Sequence, residues 1–105
     1  MEEKEILAKI NIWKKEKKEV ALATVISTWG SSPRSVGSIM AINNQNEVIG
    51  SVSGGCVEAS VFSEAINVLN SKKPKILYFG ITNKEAWEVG LTCGGKLQIY
   101  VEKLF

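Results

Sequence analysis

Apolar residues recur along the chain at two different spacings. Between Glu2 and Lys18, Ile6, Leu7, Ile10 and Trp13 return every three or four positions with charges between them, the stripe of an amphipathic helix. From Val20 to Trp29 the chain is apolar on both alternating faces and β-branched in its second half, which predicts a central strand buried on both sides. Ile39-Met40-Ala41-Ile42 and Val48-Ile49 flank the polar run Asn43-Asn44-Gln45-Asn46, the pattern of a hairpin with a four-residue turn. Val57, Val61, Phe62, Ala65, Ile66 and Leu69 then mark one face of a helix reaching about Asn70, closed by Ser71-Lys72-Lys73-Pro74. Lys75 to Ile81 predicts a further strand, Asn83 to Val89 a short helix or turn with Trp87 in the core, and Leu97 to Glu102 a cleanly alternating last strand. This succession predicts an α/β (α+β) fold, a mixed β-sheet of about five strands with packed helices. Strand order does not follow from such a pattern.

Composition narrows the class. A chain of 105 residues, 45 % hydrophobic and 23 % charged, fits one small globular domain over residues 1–105 that buries a core without disulfide staples. Net charge is +2. The lysine pairs Lys14-Lys15 and Lys17-Lys18 are interleaved with Glu16 and Glu19 and lack aromatic neighbours. They therefore read as a solvated helix end, and no nucleic acid partner is expected. The acidic start Met1-Glu2-Glu3-Lys4-Glu5 leads into an amphipathic segment, and no apolar run is long enough to span a bilayer. A cytoplasmic protein without a membrane partner is expected, with its two cysteines as thiols. Histidine is absent, which removes the commonest general base and metal ligand.

Three polar, glycine-rich stretches carry the candidate chemistry. The first runs from Gly30 to Gly37, the second from Gly50 to Glu58 and the third from Gly90 to Gly95. Each follows a predicted strand or helix, and connections so placed often converge on one edge of an open sheet, where ligands bind. Arg34 offers a fixed cation with a bidentate fork for phosphate or carboxylate. Ser31, Ser32, Ser51 and Ser53 add hydroxyls, Cys56 and Cys93 two sulfurs, and Glu58 a carboxylate in a first helical turn. Gly54-Gly55 allows close backbone approach or positive φ, and the helix N-terminus after it favours anions.

Each has a structural alternative. Arg34 fits a surface loop, Glu58 favours the helix dipole whatever the function, and each cysteine fits a core as a small hydrophobe. A zinc site is excluded, since no CxxC or histidine completes a ligand set. Gly90 to Lys96 satisfies half of a phosphate-binding Walker loop, but Leu97 follows where Ser or Thr is needed, and a strand follows where a helix is needed. No GxGxxG occurs, and no histidine is present to activate Ser51 or Ser53.

Taken together, Gly30-Ser31-Ser32-Pro33-Arg34-x-x-Gly37-x-x-Met40, Gly50-Ser51-Val52-Ser53-Gly54-Gly55-Cys56-Val57-Glu58, Gly90-Leu91-Thr92-Cys93-Gly94-Gly95 and the closing Val101-Glu102-Lys103-Leu104 resemble the N-terminal domain of the XdhC/CoxI family. The resemblance spans nearly the whole chain. It implies an accessory protein, without turnover of its own, that binds the molybdenum cofactor (molybdopterin), holds it during sulfuration and hands it to a xanthine dehydrogenase-type apoenzyme. Carried over, Arg34, Ser53, Gly54, Gly55, Cys56, Glu58, Cys93, Gly94 and Gly95 would form the cofactor site, with Cys56 and Cys93 at the molybdenum or managing sulfur. Family members continue into a Rossmann-like domain, whereas this sequence stops at Phe105. The expectation is that a separate Rossmann-domain subunit or a homodimer supplies the other half of the pocket, with a sulfur donor as a further partner. Two alternatives stay open at this point: a thiol redox or sulfur-transfer protein using Cys56 and Cys93, and a docking module without chemistry of its own.

Overall fold

The structure, a computed structural model, describes residues 2–29, 34–55, 57–80 and 96–105. Helix α1 covers Glu3–Lys15, and strand β1 follows at Val20–Trp29. Strands β2 (Ile39–Asn43) and β3 (Val48–Gly50) form the hairpin, helix α2 spans Glu58–Ser71, and β4 and β5 are Lys75–Phe79 and Lys96–Lys103. The expected segment Asn83 to Val89, Trp87 included, lies outside the described residues.

The five strands and packed helices are as expected, and the order is β3-β2-β1-β5-β4. Every pairing among the described residues is antiparallel, where a mixed sheet was expected. The reason lies in the α2 crossover. It links β3 to β4, two strands of the same direction, but carries the chain from one edge of the sheet to the other, so those strands never become neighbours.

The two helices cover opposite faces. α2 lays Val61, Ala65, Val68 and Leu69 on a layer that includes Val25, Ile42, Leu97 and Ile99. α1 packs Ile6, Ile10 and Trp13 on Val20, Ile39 and Ala41. Ile6, Ile10 and Trp13 are the i, i+4, i+7 set; Leu7, one position round the helix, remains 47 % exposed. α1 stops at Lys15 rather than Lys18 because Lys17 turns left-handed (φ 61°) and the Lys18 amide closes on the Trp13 carbonyl at 3.0 Å. β1 is buried on both faces only in its first half. Beyond a bulge between Val25 and Ser27 it has outrun β2, whose pairing starts at Thr24 opposite Ile39, and Ile26 and Trp29 are exposed.

The hairpin turn is set by a fully buried amide. Asn43 Oδ1 accepts the backbone N–H of Gln45 (2.9 Å) and Glu47 (3.1 Å), while its Nδ2 donates to Glu47 Oε1. No helix among the described residues is long and apolar enough to cross a membrane.

Candidate functional site at one end of the sheet

Antiparallel neighbours place the end of one strand beside the start of the next. Trp29 lies opposite Lys96, Phe79 opposite Leu97, and Met40 opposite Gly50. The ends of β1, β3 and β4 and the starts of β2 and β5 therefore share one end of the sheet. The described residues flanking the first and third connections, Trp29 with Ile39 and Phe79 with Lys96, lie at that end, as does Gly50, where the second begins. Of the residues in these glycine-rich stretches, Cys56, Cys93, Gly94 and Gly95, with Ser31 and Ser32, lie outside the described residues.

Gly50 begins the second connection and admits no side chain. Its φ is +82°, and a Cβ there would stand 2.4 Å from the Ile39 carbonyl oxygen and 2.9 Å from Ile6 Cδ1. The chain then winds around the carboxylate of Glu58. Oε2 accepts the Ser51 hydroxyl at 2.6 Å and the amides of Val52 and Ser53, each at 3.0 Å. Oε1 accepts the Ser53 hydroxyl and the Gly55 amide, the latter at 2.9 Å. The remaining amides use the serines: Gly54 donates to Ser51 Oγ and Val57 to Ser53 Oγ, both at 2.9 Å.

This arrangement explains three sequence features. Gly54 (φ 70°) and Gly55 (φ 111°) take the left-handed conformations that turn successive amides inward. Ser53 is fully buried because both its bonds lie within the turn. Glu58 supplies negative charge at the start of α2, whose N-cap position is the apolar Val57 with no side-chain cap of its own. Burial alone would raise the Glu58 carboxyl. The hydrogen bonds from the Ser51 and Ser53 hydroxyls and from the Ser53 and Val52 amides outweigh it and hold the group at about 2. The anion held by these amides is the chain's own. Ser51, absent from the expected site set, ties the turn together by donating to Glu58 and accepting from Gly54; the sequence hint was a Ser three positions before Gly54-Gly55 and seven before a Glu.

Arg34 enters on the α1 side. It lines a cleft of about 300 Å³ with Glu3, Ile6, Ser38 and Ile39 among its walls. Ile39 joins the cleft to the turn, since its carbonyl accepts the Ser51 amide at 3.1 Å and crowds Gly50. The described residues thus bring Ser53, Gly54, Gly55 and Glu58 into one turn, with the Arg34 cleft at its root. Among the described residues there is no cluster of three or more carboxylate, thiol or imidazole groups that could hold a metal ion.

A profile of the XdhC and CoxI family matches residues 13–80, which takes in β1, the hairpin, the Glu58 turn, α2 and β4. The chain belongs to the XdhC and CoxI family. Within Escherichia coli K12 it is similar to the molybdenum cofactor insertion chaperone PaoD, with 30 % identity over 87 residues, 83 % of this chain and 27 % of PaoD. It is also similar to an uncharacterized protein of that strain, YqeB, with 28 % identity over 81 residues covering 77 % of this chain and 15 % of that protein. A probable xanthine dehydrogenase subunit of Bacillus subtilis 168 is 26 % identical over 91 residues, 85 % of this chain and 28 % of that protein. Among solved structures, one described as a xanthine dehydrogenase from Bacillus halodurans superposes with a TM-score of 0.75 at 23 % identity, over 93 % of this chain and 30 % of that one, a likeness of fold. The chain spans less than a third of the length of each of these relatives.

Proposed function

We propose that the chain binds the molybdenum cofactor as cargo and serves the maturation of a xanthine dehydrogenase-type molybdenum hydroxylase, without catalytic turnover of its own. The observation that carries this reading is family membership together with the likeness to a molybdenum cofactor insertion chaperone over 83 % of the chain. The geometry suits such cargo in two respects. Arg34 borders a cleft with space for part of a ligand, and its guanidinium matches a terminal phosphate. Gly55 and Gly37 present edges where a Cβ would meet nothing within 4 Å, so a flat heterocycle could approach backbone closely.

In this reading Arg34 holds the phosphate, and Gly54-Gly55 borders the pterin on a turn shaped by Ser51, Ser53 and Glu58. Cys56 and Cys93, with Gly94-Gly95, are assigned to the molybdenum and its sulfur chemistry on their sequence motifs alone. The cofactor itself supplies the dithiolene that carries the metal. Its recipient is the apoenzyme, and a sulfur donor or a second subunit would complete the exchange.

The test is anaerobic purification from a host that makes molybdenum cofactor, with pterin fluorescence after oxidative release and molybdenum content measured together. Pterin in the wild type, lost in Cys56→Ala and Cys93→Ala, supports the reading. No pterin even with the target apoenzyme co-expressed removes it.

A further inference from the structure

We propose that Glu58 is a positioning residue, a built-in anion that fills the amide-lined turn of residues 52–55, so that this turn is preshaped and takes no phosphate; the proposal rests on the cofactor-handling reading above. Inward-facing amides at successive positions form the concavity that commonly cradles a phosphate. Here Val52, Ser53 and Gly55 spend their N–H groups on one carboxylate, and two serine hydroxyls add to it. An ionised carboxylate offers about four lone-pair sites, and five donors leave it no capacity for a ligand. The Gly54 amide is engaged as well.

What the turn leaves outside differs in character. Gly54 and Gly55 are exposed, and the space beyond Gly55 is open. Val52 and Ser53 are fully buried, so of residues 52–55 only Gly54 and Gly55 present backbone outward. The outer edge is therefore the backbone of Gly54 and Gly55, beside an enclosed negative charge. It favours the N–H edge of a heterocycle and disfavours phosphate, which is left to the Arg34 cleft.

Backbone amide exchange by NMR tests this on the whole chain in wild type, Glu58→Ala and the near-isosteric Glu58→Gln. Inorganic phosphate and acetate serve as probes, with chloride holding the ionic strength constant. In the wild type, phosphate leaves the Val52, Ser53 and Gly55 amides unshifted. In Glu58→Ala those amides exchange about tenfold faster or more, the scale expected for losing charged hydrogen bonds. Acetate, entering the vacated concavity, restores their protection. It also restores pterin retention lost in that variant, which a general loss of stability would not allow. If Glu58→Ala does not fold, Glu58→Gln carries the same exchange test. The proposal is overturned if phosphate shifts those amides in the wild type, if the variants exchange as the wild type does, or if a variant with an unprotected turn retains its pterin. A wild type that carries no pterin sinks the functional reading instead and leaves the exchange result standing.

Discussion

Ser51 Oγ stands 2.6 Å from Glu58 Oε2, a bond that ties the end of β3 to the first turn of α2. The same oxygen accepts the Gly54 amide, so one hydroxyl closes the turn from both sides. Because the partners are seven positions apart, the turn costs little loop entropy to close and should form along with α2.

Removing the carboxylate leaves three turn amides and two hydroxyls without their acceptor. Glu58→Ala is expected to lower the unfolding free energy by about 2 kcal/mol, less than the sum of its bonds because the group is partly exposed. At about 4–8 °C per kcal/mol for a domain of this size, calorimetry should resolve the shift. Ser51→Ala, which keeps the carboxylate and its backbone donors, should cost roughly half as much.

Stability should also depend on acid through Glu58. The folded carboxyl lies at about 2 against an ordinary value of 4.5. A depressed folded value means the contribution is fully present above 4.5 and is lost as pH falls from there towards 2. Glu58→Gln should flatten that part of the profile in urea titrations run across the window. A profile unchanged by the substitution would show that other carboxylates govern it.

Glycines at this end of the sheet should separate into two classes. Gly50→Ala forces a Cβ against the Ile39 carbonyl oxygen, a backbone atom at 2.4 Å, and should cost upwards of about 3 kcal/mol or prevent folding. Gly37→Ala meets nothing within 4 Å, so only its positive φ opposes it, at about 1–2 kcal/mol. Chemical denaturation of the pair checks the contrast.

At the opposite end, α2 stops on Lys72 in the left-handed conformation, φ 63°. Lys72→Gly should stabilise by about 1 kcal/mol, raising the urea midpoint with an unchanged m-value.

Arg34→Ala should lower the pterin recovered per protein about tenfold, and Arg34→Lys should restore it only in part, since an ammonium lacks the bidentate fork. Equal recovery from both variants and the wild type would remove Arg34 from the site.

Much of the fold was legible because its elements are locally determined. β1 was read with the bounds it has, Val20–Trp29, and the Asn43–Asn46 turn was marked by residues that bond their own backbone. Leu7 was misplaced because a helical stripe has soft edges, and only the sheet decides which border position is covered. The candidate site was half legible. Its polar glycine-rich stretches stood out, but whether Glu58 faces a ligand or its own backbone is not encoded in residue type.

Periodicity and turn chemistry by themselves determined the number and kind of elements, since each depends on neighbours within about a turn of helix or a strand pair. The glycine–serine–glutamate motif likewise marked where the chain would bend. Tertiary structure alone decided the all-antiparallel order, because strand adjacency follows from where α2 sets the chain down after crossing the sheet. It also decided the sense of the turn. Gly50 lies against Ile39 with no room for a side chain, and the amides of Val52, Ser53 and Gly55 beyond it turn to Glu58, delivered by the start of α2.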